Sequence, residues 1–326
     1  MKKFKTGDEI EKEIELISFL NIFERLCKVD ESDNSNIYKI LNTTSSDLEL
    51  KLNEKSITIR SQKFRNIRII YANGNNVSII DHINNKNAFI INFDNIDLAY
   101  SNRKLFRDSK LLGNIENFLK IFKTNQELEN VTSEKGNPNT MATSFEDGSI
   151  FRFVEETFFE NYNYFVCDDY GREWADHIGV SEDKIVFIHS KFNTTNASAS
   201  AFQDIVGQAQ KNLGNITPQD FQLDTKKNLW INNYASTNIN RLRKGNNVDE
   251  FIQAIKDAST NPYLKKEVIL VINFISKNRL TGFLNNLANG ERFTERSEAI
   301  QMLWLISSLI SSCQELNTEV TIYCKP

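Results

Sequence analysis

The sequence predicts an α/β protein with a mixed β-sheet flanked by helices, preceded by an α+β domain rich in antiparallel strands. Three observations support this prediction. The chain has 326 residues, enough for two hydrophobic cores at ~150 residues per domain. Short β-like runs separated by asparagine-rich turns fill much of the first half. Helical and strand-like segments alternate in the second half, which is typical of a mixed sheet covered by helices.

Changes in composition along the chain place the domain boundaries. Residues 1–124 form the predicted N-terminal domain, whose expected role is to recognise a partner or a nucleic acid, and residues 149–326 form the second domain. Residues 125–148 show no apolar periodicity and contain Gly136, Pro138 and Gly148. They are therefore predicted to be the interdomain linker.

The composition is that of a globular protein that does not enter a membrane. Hydrophobic residues make up 40% of the chain and charged residues 25%, and no run reaches the ~18 apolar residues that a membrane span requires. The lysine-rich N-terminus passes directly into a charged helical pattern instead of an apolar segment, which predicts a cytoplasmic protein. The four cysteines are far apart and form no CxxC motif, so neither a zinc site nor a disulfide framework is indicated.

The net charge of −4 argues against a uniformly basic nucleic-acid-binding protein but allows local basic clusters. The cluster predicted to bind nucleic acid comprises Arg60, Lys63, Arg65 and Arg68. Two further clusters comprise Arg103, Lys104, Arg107 and Lys110, and Arg241, Arg243 and Lys244. A solvated surface remains the alternative interpretation of each cluster.

Hydrophobic periodicity predicts the individual elements. The first half is predicted to contain helices at 7–30 and 114–126 and strands at 46–53, 56–62, 65–74, 75–83 and 87–93. The second half is predicted to contain a helix at 149–162, strands at 162–170, 172–180 and 184–192, and a helix at 198–214. A buried strand at 267–276, a helix at 297–313 and a strand at 318–324 complete the sheet. Residues 215–263 are interpreted as an insertion or a helical excursion between sheet elements.

The stretch from Glu173 to Lys191 carries ionisable residues at alternate positions of two apolar runs. In the first run, Asp176 shares a face with bulky apolar side chains, and in the second run His189 and Lys191 share a face. The short connection at 181–184 predicts a hairpin that brings Asp176 towards the His-x-Lys pair. An acid and a lysine on adjacent strands suit metal-assisted phosphodiester hydrolysis, in which the acid binds the ion and the lysine offsets negative charge.

The order of helix, three strands and helix, with Asp176 on the second strand and Lys191 on the third, resembles the PD-(D/E)XK, or restriction-endonuclease-like, nucleases. The resemblance covers residues 145–326, and the stretches from Cys167 to Lys191 and from Ser198 to Leu213 also look like nuclease modules of bacterial helicase-linked and phage-defence proteins. It implies a restriction-endonuclease-like sheet and a site for Mg²⁺ or Mn²⁺.

The resemblance also implies roles for individual residues. Asp176 and Lys191 match the family pattern, whereas His189 departs from it, because that position usually carries Glu, Asp or Gln. An acid of the first helix is expected at the site; Glu156 is the chosen candidate, although the sequence does not separate it from Glu155. The implied metal ligands are Asp176, His189 and Glu156, the implied catalytic residues are these three with Lys191 and Gln208, and Lys211 is expected to contact nucleic acid.

The expected function is therefore a metal-dependent nuclease, acting on DNA in preference to RNA, in anti-phage defence. Nucleic acid is the expected partner. A helicase, an ATPase or another defence-system protein is expected as a further partner. The oligomeric state is left open. The alternative is a non-catalytic nucleic-acid-binding or assembly subunit with a degenerate nuclease fold. Asp168 and Asp169 are interpreted as turn residues before Gly171, with a place in the metal shell as the alternative.

Overall fold

The computed structural model describes residues 28–30, 36–41, 47–70, 74–93, 98–101, 103–107, 115–170 and 172–326. The chain divides into two compact units, Met1–Lys110 and Leu111–Pro326. Each unit has its own hydrophobic core.

The first unit contains small antiparallel sheets, as predicted. The largest has the strand order β1 (Lys28–Val29), β2 (Ile37–Leu41), β3 (Glu49–Asn53) and β4 (Ser56–Arg60). Strands β5 (Arg68–Ile70) and β6 (Asn76–Ser78) form a pair, and β7 (Ile90–Asn92), β8 (Leu98–Ser101) and β9 (Lys104–Arg107) form a three-stranded sheet. Helices α1 (Gln62–Arg65) and α2 (Ile79–Lys86) interrupt the strands.

The structure differs from two of the elements predicted for this unit. The strand predicted at 75–83 is wrong beyond Ser78, because the Ser78 hydroxyl accepts a hydrogen bond from the Asp81 backbone N–H at 3.0 Å and caps α2. Most of the helix predicted at 7–30 lies outside the described residues. At its described end, Lys28 and Val29 form a strand that pairs with β2.

The second unit contains a seven-stranded mixed sheet with helices and three short 3₁₀ turns. Before the sheet's central hairpin come α3 (Ile115–Leu119), β10 (Phe122–Thr124), a 3₁₀ turn (Gln126–Glu129), α4 (Ile150–Phe158), a second turn (Phe159–Asn161) and β11 (Tyr164–Cys167). The middle comprises β12 (His177–Ser181), β13 (Lys184–Lys191), α5 (Ala199–Asn212), a third turn (Leu213–Asn215), α6 (Asp220–Trp230), β14 (Leu242–Lys244) and α7 (Val248–Thr260). The last elements are β15 (Lys265–Ser276), α8 (Lys277–Ala288), α9 (Arg296–Glu315) and β16 (Thr318–Lys325).

The strand order in this sheet is β10-β16-β15-β13-β12-β11-β14. Strands β11, β12 and β13 form an antiparallel meander, whereas β15 runs parallel to β13 and β16 parallel to β15. The predicted α/β class with a mixed sheet flanked by helices is therefore confirmed. The predicted hairpin is also present, since Ser181 pairs with Lys184 at the turn.

The core of the second unit lies against both faces of the sheet. On one face, Val186 and Ile188 of β13 pack with Phe153 and Val154 of α4. Residues 267–275 of β15 are all buried, as predicted for a strand covered on both sides. Helix α4 begins where predicted, because the Ser149 hydroxyl accepts the Arg152 backbone N–H at 3.2 Å.

The predicted domain boundary and linker differ from the structure. Residues 122–124 form β10, which pairs in parallel with β16, and the helix predicted at 114–126 therefore ends at Leu119. Leu128 is fully buried in the core beside α4, and Ile150 donates its backbone N–H to the Ser133 carbonyl at 3.0 Å. The segment at 125–148 thus belongs to the second unit. The segment shows no hydrophobic periodicity because it packs against the rest of the unit through single buried side chains and backbone hydrogen bonds instead of through a continuous helix or strand face.

Residues 215–263 contain helices α6 and α7, in agreement with the predicted helical excursion, but they are an integral part of the same unit and not a separate insertion. Strand β14 pairs with β11 at one edge of the sheet, and Trp230 at the end of α6 is fully buried. None of the helices in the described parts of the chain combines the length and hydrophobicity needed to cross a membrane.

Leu128 provides a test of whether 125–148 is a linker. Leu128→Ala removes a fully buried side chain, and we expect it to lower the free energy of unfolding by about 2–5 kcal/mol, measured by urea denaturation. The matched control is Met141→Ala in the same segment, where the side chain is 75% exposed. We expect this control to change the free energy of unfolding by less than about 0.5 kcal/mol. Equal and small effects of the two substitutions would restore the linker interpretation.

Candidate metal centre

A polar cavity of about 250 Å³ opens where β12 begins and β13 ends. Its walls come from the segment before α4, the loop between β11 and β12, the end of β13 and helix α5. The lining residues are Glu134, Lys135, Asp169, Tyr170, Glu173, Asp176, Ser190, Lys191 and Gln208.

The loop between β11 and β12 is anchored by the buried carboxylate of Asp168. Both of its oxygens lie 2.6 Å from Lys226 Nζ, and they also accept the Trp230 indole N–H at 2.7 Å and the Trp174 backbone N–H at 2.8 Å. The Lys226 ammonium lies 5.1 Å from the centre of the Trp174 ring. Burial raises the pKa of Asp168 and lowers that of Lys226, and each charge partly offsets the shift of the other. These contacts turn the adjacent residue, Asp169, into the cavity.

Asp169 is held from three sides. Its carboxylate lies 2.8–2.9 Å from Lys135 Nζ and accepts the Tyr234 hydroxyl at 2.8 Å. Its backbone carbonyl accepts an Arg241 guanidinium N–H at 2.6 Å. Burial lowers the pKa of Lys135, but the charges of Asp169, Asp176 and Glu134 together more than offset this and raise it overall. Asp169 is therefore presented in one fixed orientation.

Asp176 lies immediately before β12 and is 7% exposed. Its Oδ2 atom accepts the Ser190 backbone N–H at 2.6 Å, and its own N–H donates to the Ile188 carbonyl at 3.0 Å. Among the described residues, Oδ1 has no hydrogen-bond partner. Burial, together with the nearby charge of Asp169, raises the pKa of Asp176 well above its usual range. A cation at this position would favour the ionised form.

Three carboxylates converge in the cavity. One oxygen from each of Asp169, Glu173 and Asp176 lies within 4.8 Å of the others. Glu173 is half-buried and accepts the Tyr170 backbone N–H at 3.2 Å. Carboxylate oxygens are the ligands that hard divalent ions such as Mg²⁺ prefer. The three side chains thus form a set that suits such an ion.

The structure places three of the predicted catalytic residues at this cavity: Asp176, Lys191 and Gln208. Lys191 lies at the end of β13, and its Nζ is 3.5 Å from Asp204 Oδ2 on α5. Asp204 and Gln208 are one helical turn apart, so they face the same way. The predicted hairpin is the reason that Asp176 and the end of β13 meet.

The remaining predicted residues do not line the cavity. His189 is 2% exposed, and its Nε2 atom has no hydrogen-bond partner among the described residues. Glu156 is exposed because it lies about 100° around α4 from the buried Glu155. It forms an ion pair with Arg152. Glu155 instead binds Arg243 at 2.6 and 3.0 Å. Lys211 is exposed near the end of α5.

The preferred ligand set of the sequence prediction contained neither Glu173 nor Asp169. Glu173 was assigned to a strand and Asp169 to a turn, with a place in the metal shell as the alternative for Asp169, and both line the cavity from a loop. The signal was the density of acids between Asp168 and Asp176. Glu134 and Lys135 lie in the segment that was predicted to be a linker, where no sequence pattern marks them.

The basic clusters differ in exposure. Arg60, Lys63, Arg65 and Arg68 are all exposed in the first unit. The cluster at 241–244 is internal: Arg241 is 2% exposed, and Arg243 pairs with Glu155. These two arginines hold the second unit together and do not form a free surface for phosphate.

Comparisons with protein-family models, curated proteins and solved structures found no match to this chain. The interpretation of the site therefore rests on its geometry.

His189 predicts a pH dependence of stability. Burial lowers its pKa from 6.5 to about 4, so between these values the unfolded chain takes up a proton that the folded chain does not. Stability contributed by the neutral imidazole is present at pH 7 and lost as the pH falls from 6.5 towards 4. We expect the loss from pH 7 to pH 5 to be about 2 kcal/mol smaller in His189→Gln than in the wild type, measured by urea denaturation. Equal losses in the two proteins would show that His189 is solvated.

Proposed function

We propose that this protein is a metal-dependent nuclease that hydrolyses phosphodiester bonds, with Mg²⁺ or Mn²⁺ held by Asp169, Glu173 and Asp176. The observation that carries the proposal is the convergence of these three acids beside Lys191 and Gln208 in one cavity. This ligand set replaces the predicted one, in which His189 and Glu156 accompanied Asp176.

The site's own chemistry supports a cation there. The Asp176 carboxylate oxygen that the Ser190 N–H does not bind is accessible from the cavity and has no hydrogen-bond partner among the described residues. The ammonium of Lys135 binds both oxygens of Asp169 and so stands in for a cation. All three donor groups are hard oxygen ligands, which favours Mg²⁺ or Mn²⁺ over softer ions.

Each group has a role in hydrolysis. A bound divalent ion would act as a Lewis acid and lower the pKa of an attacking water. Lys191 offers an ammonium that binds the phosphate and offsets the negative charge that develops on it. The Gln208 amide donates a hydrogen bond to a phosphate oxygen or orients the water. Ser190 positions Asp176 through its backbone N–H.

The topology also supports the proposal. Helix α4, the β11–β13 meander and helix α5 follow in the order expected of a restriction-endonuclease-like domain, and β15, which comes after α6, β14 and α7, runs parallel to β13. The assignment to that fold is part of this proposal. A preference for DNA and a role in anti-phage defence follow from the same resemblance. The exposed cluster Arg60–Arg68 is proposed to bind nucleic acid from the first unit.

A second candidate function is a non-catalytic binding or assembly subunit. The observation that favours it is the position of His189, which replaces the family's acid and does not line the cavity. A nuclease-like domain that had lost this ligand would still bind nucleic acid.

A cleavage assay tests the proposal. Plasmid DNA and single-stranded RNA are incubated with the protein in Mg²⁺ or Mn²⁺, with EDTA as the stopping control. We expect Asp176→Asn and Lys191→Met to lower the cleavage rate by about 10²-fold or more. Glu156→Gln is the matched control, because Glu156 is exposed outside the cavity, and its rate should equal that of the wild type.

Two results would contradict the proposal in different ways. A wild type that is inert in both metals but binds nucleic acid would support the non-catalytic subunit. Cleavage that survives Asp176→Asn would mean that the active site lies elsewhere.

A further inference from the structure

Lys135 is the most closely held cation in the cavity. Its Nζ atom lies 2.9 Å from Oδ1 and 2.8 Å from Oδ2 of Asp169. It also lies 3.8 Å from a Glu134 oxygen. The other lysine of the cavity, Lys191, has its ion pair with Asp204, which is not among the three converging acids.

The position of Lys135 is fixed by its surroundings. The backbone carbonyls of Ser133 and Glu134 accept the N–H groups of Ile150 and Phe151, at 3.0 Å each, in the first turn of α4. The Lys135 ammonium lies 5.1 Å from the centre of the Phe151 ring, and the side chain is 29% exposed. Lys135 is therefore a built part of the site and not a mobile surface lysine.

The charges of the cavity define what a bound ion would meet. Four carboxylates (Glu134, Asp169, Glu173 and Asp176) and two lysines line it, which leaves two formal negative charges when all are ionised. One divalent cation would balance them. Asp169, however, is already paired: the Lys135 ammonium contacts both of its oxygens, so an ion that coordinates either oxygen competes with the lysine for it.

We propose that the ammonium of Lys135 occupies the cation position at Asp169 and that the divalent ion displaces it on binding. This inference rests on the proposed function, since it concerns the same metal site. Lys135 is then a positioning residue: it holds the Asp169 carboxylate in place through both oxygens, and it competes with the ion. The competition lowers metal affinity, so the site loads only when the divalent ion is abundant.

The test measures the affinity of the full chain for Mn²⁺ alone, by the electron paramagnetic resonance signal of the free ion. Removing a charge hydrogen-bonded to a ligand carboxylate should strengthen cation binding, and we expect Lys135→Met to lower the Kd by roughly ten-fold or more. Lys135→Arg keeps the charge and should bind Mn²⁺ about as weakly as the wild type. Lys135→Gln serves as a second neutral variant if Lys135→Met is unstable by thermal unfolding.

Lys191→Met is the matched control, because it removes the same charge from the same cavity but not from Asp169. It should lower the Kd much less than Lys135→Met does. An unchanged or higher Kd in both neutral Lys135 variants would overturn the inference and make Lys135 purely structural. Equal decreases in Lys135→Met and Lys191→Met would overturn it too, because they would show a general charge effect.

Failure of the underlying function gives a different result. If Asp169→Asn and Asp176→Asn leave Mn²⁺ binding unchanged, the metal site itself is wrong. If those two variants lose Mn²⁺ binding while the neutral Lys135 variants match the wild type, only the displacement by the ion is wrong.

Discussion

The buried ion pair between Asp168 and Lys226 fixes the loop on which the candidate site depends. A buried carboxylate is tolerated only when its hydrogen-bonding capacity is met, and Asp168 accepts hydrogen bonds from Lys226, Trp230 and the Trp174 backbone. Loss of one partner from a buried pair typically costs about 3–5 kcal/mol. Helix α6 therefore anchors the loop through Lys226 and Trp230. This helix lies in the segment that the sequence alone suggests is an insertion.

The closed loop forces like charges together. Asp169, Glu173 and Asp176 approach one another while two of them are buried, and burial together with the charge of Asp169 raises the pKa of Asp176. Proteins accept such repulsion where a cation compensates it, and Lys135 supplies part of that compensation. The segment before α4 supplies Lys135, and the site depends on that segment for this reason. Without Lys135, the carboxylates would face one another with no positive charge beside Asp169.

The sequence predicts those features that local patterns encode. Alternating apolar residues identify β13, and they identify β12 only in part, because the strand predicted at 172–180 begins at His177, after Asp176. The short polar turn brings Asp176 to Lys191. The helical pattern predicted at 149–162 identifies α4. The other features depend on contacts between residues that are far apart in the sequence. Leu128 is buried although the residues around it show no hydrophobic periodicity. Asp169 faces the cavity because Tyr234 and Arg241, from distant parts of the chain, bind it. His189 lies two positions before Lys191, the spacing predicted for a metal ligand, but it does not line the cavity.

The central claim is that Asp169, Glu173 and Asp176 form one divalent-metal site. The most direct measurement is an anomalous difference map from crystals of the protein soaked in Mn²⁺. The account predicts one strong peak in the cavity, about 2.0–2.5 Å from an oxygen of each of the three carboxylates, with Lys135 no longer bound to Asp169. A map without a peak there, while Lys135 still pairs with Asp169 in saturating Mn²⁺, would contradict the account.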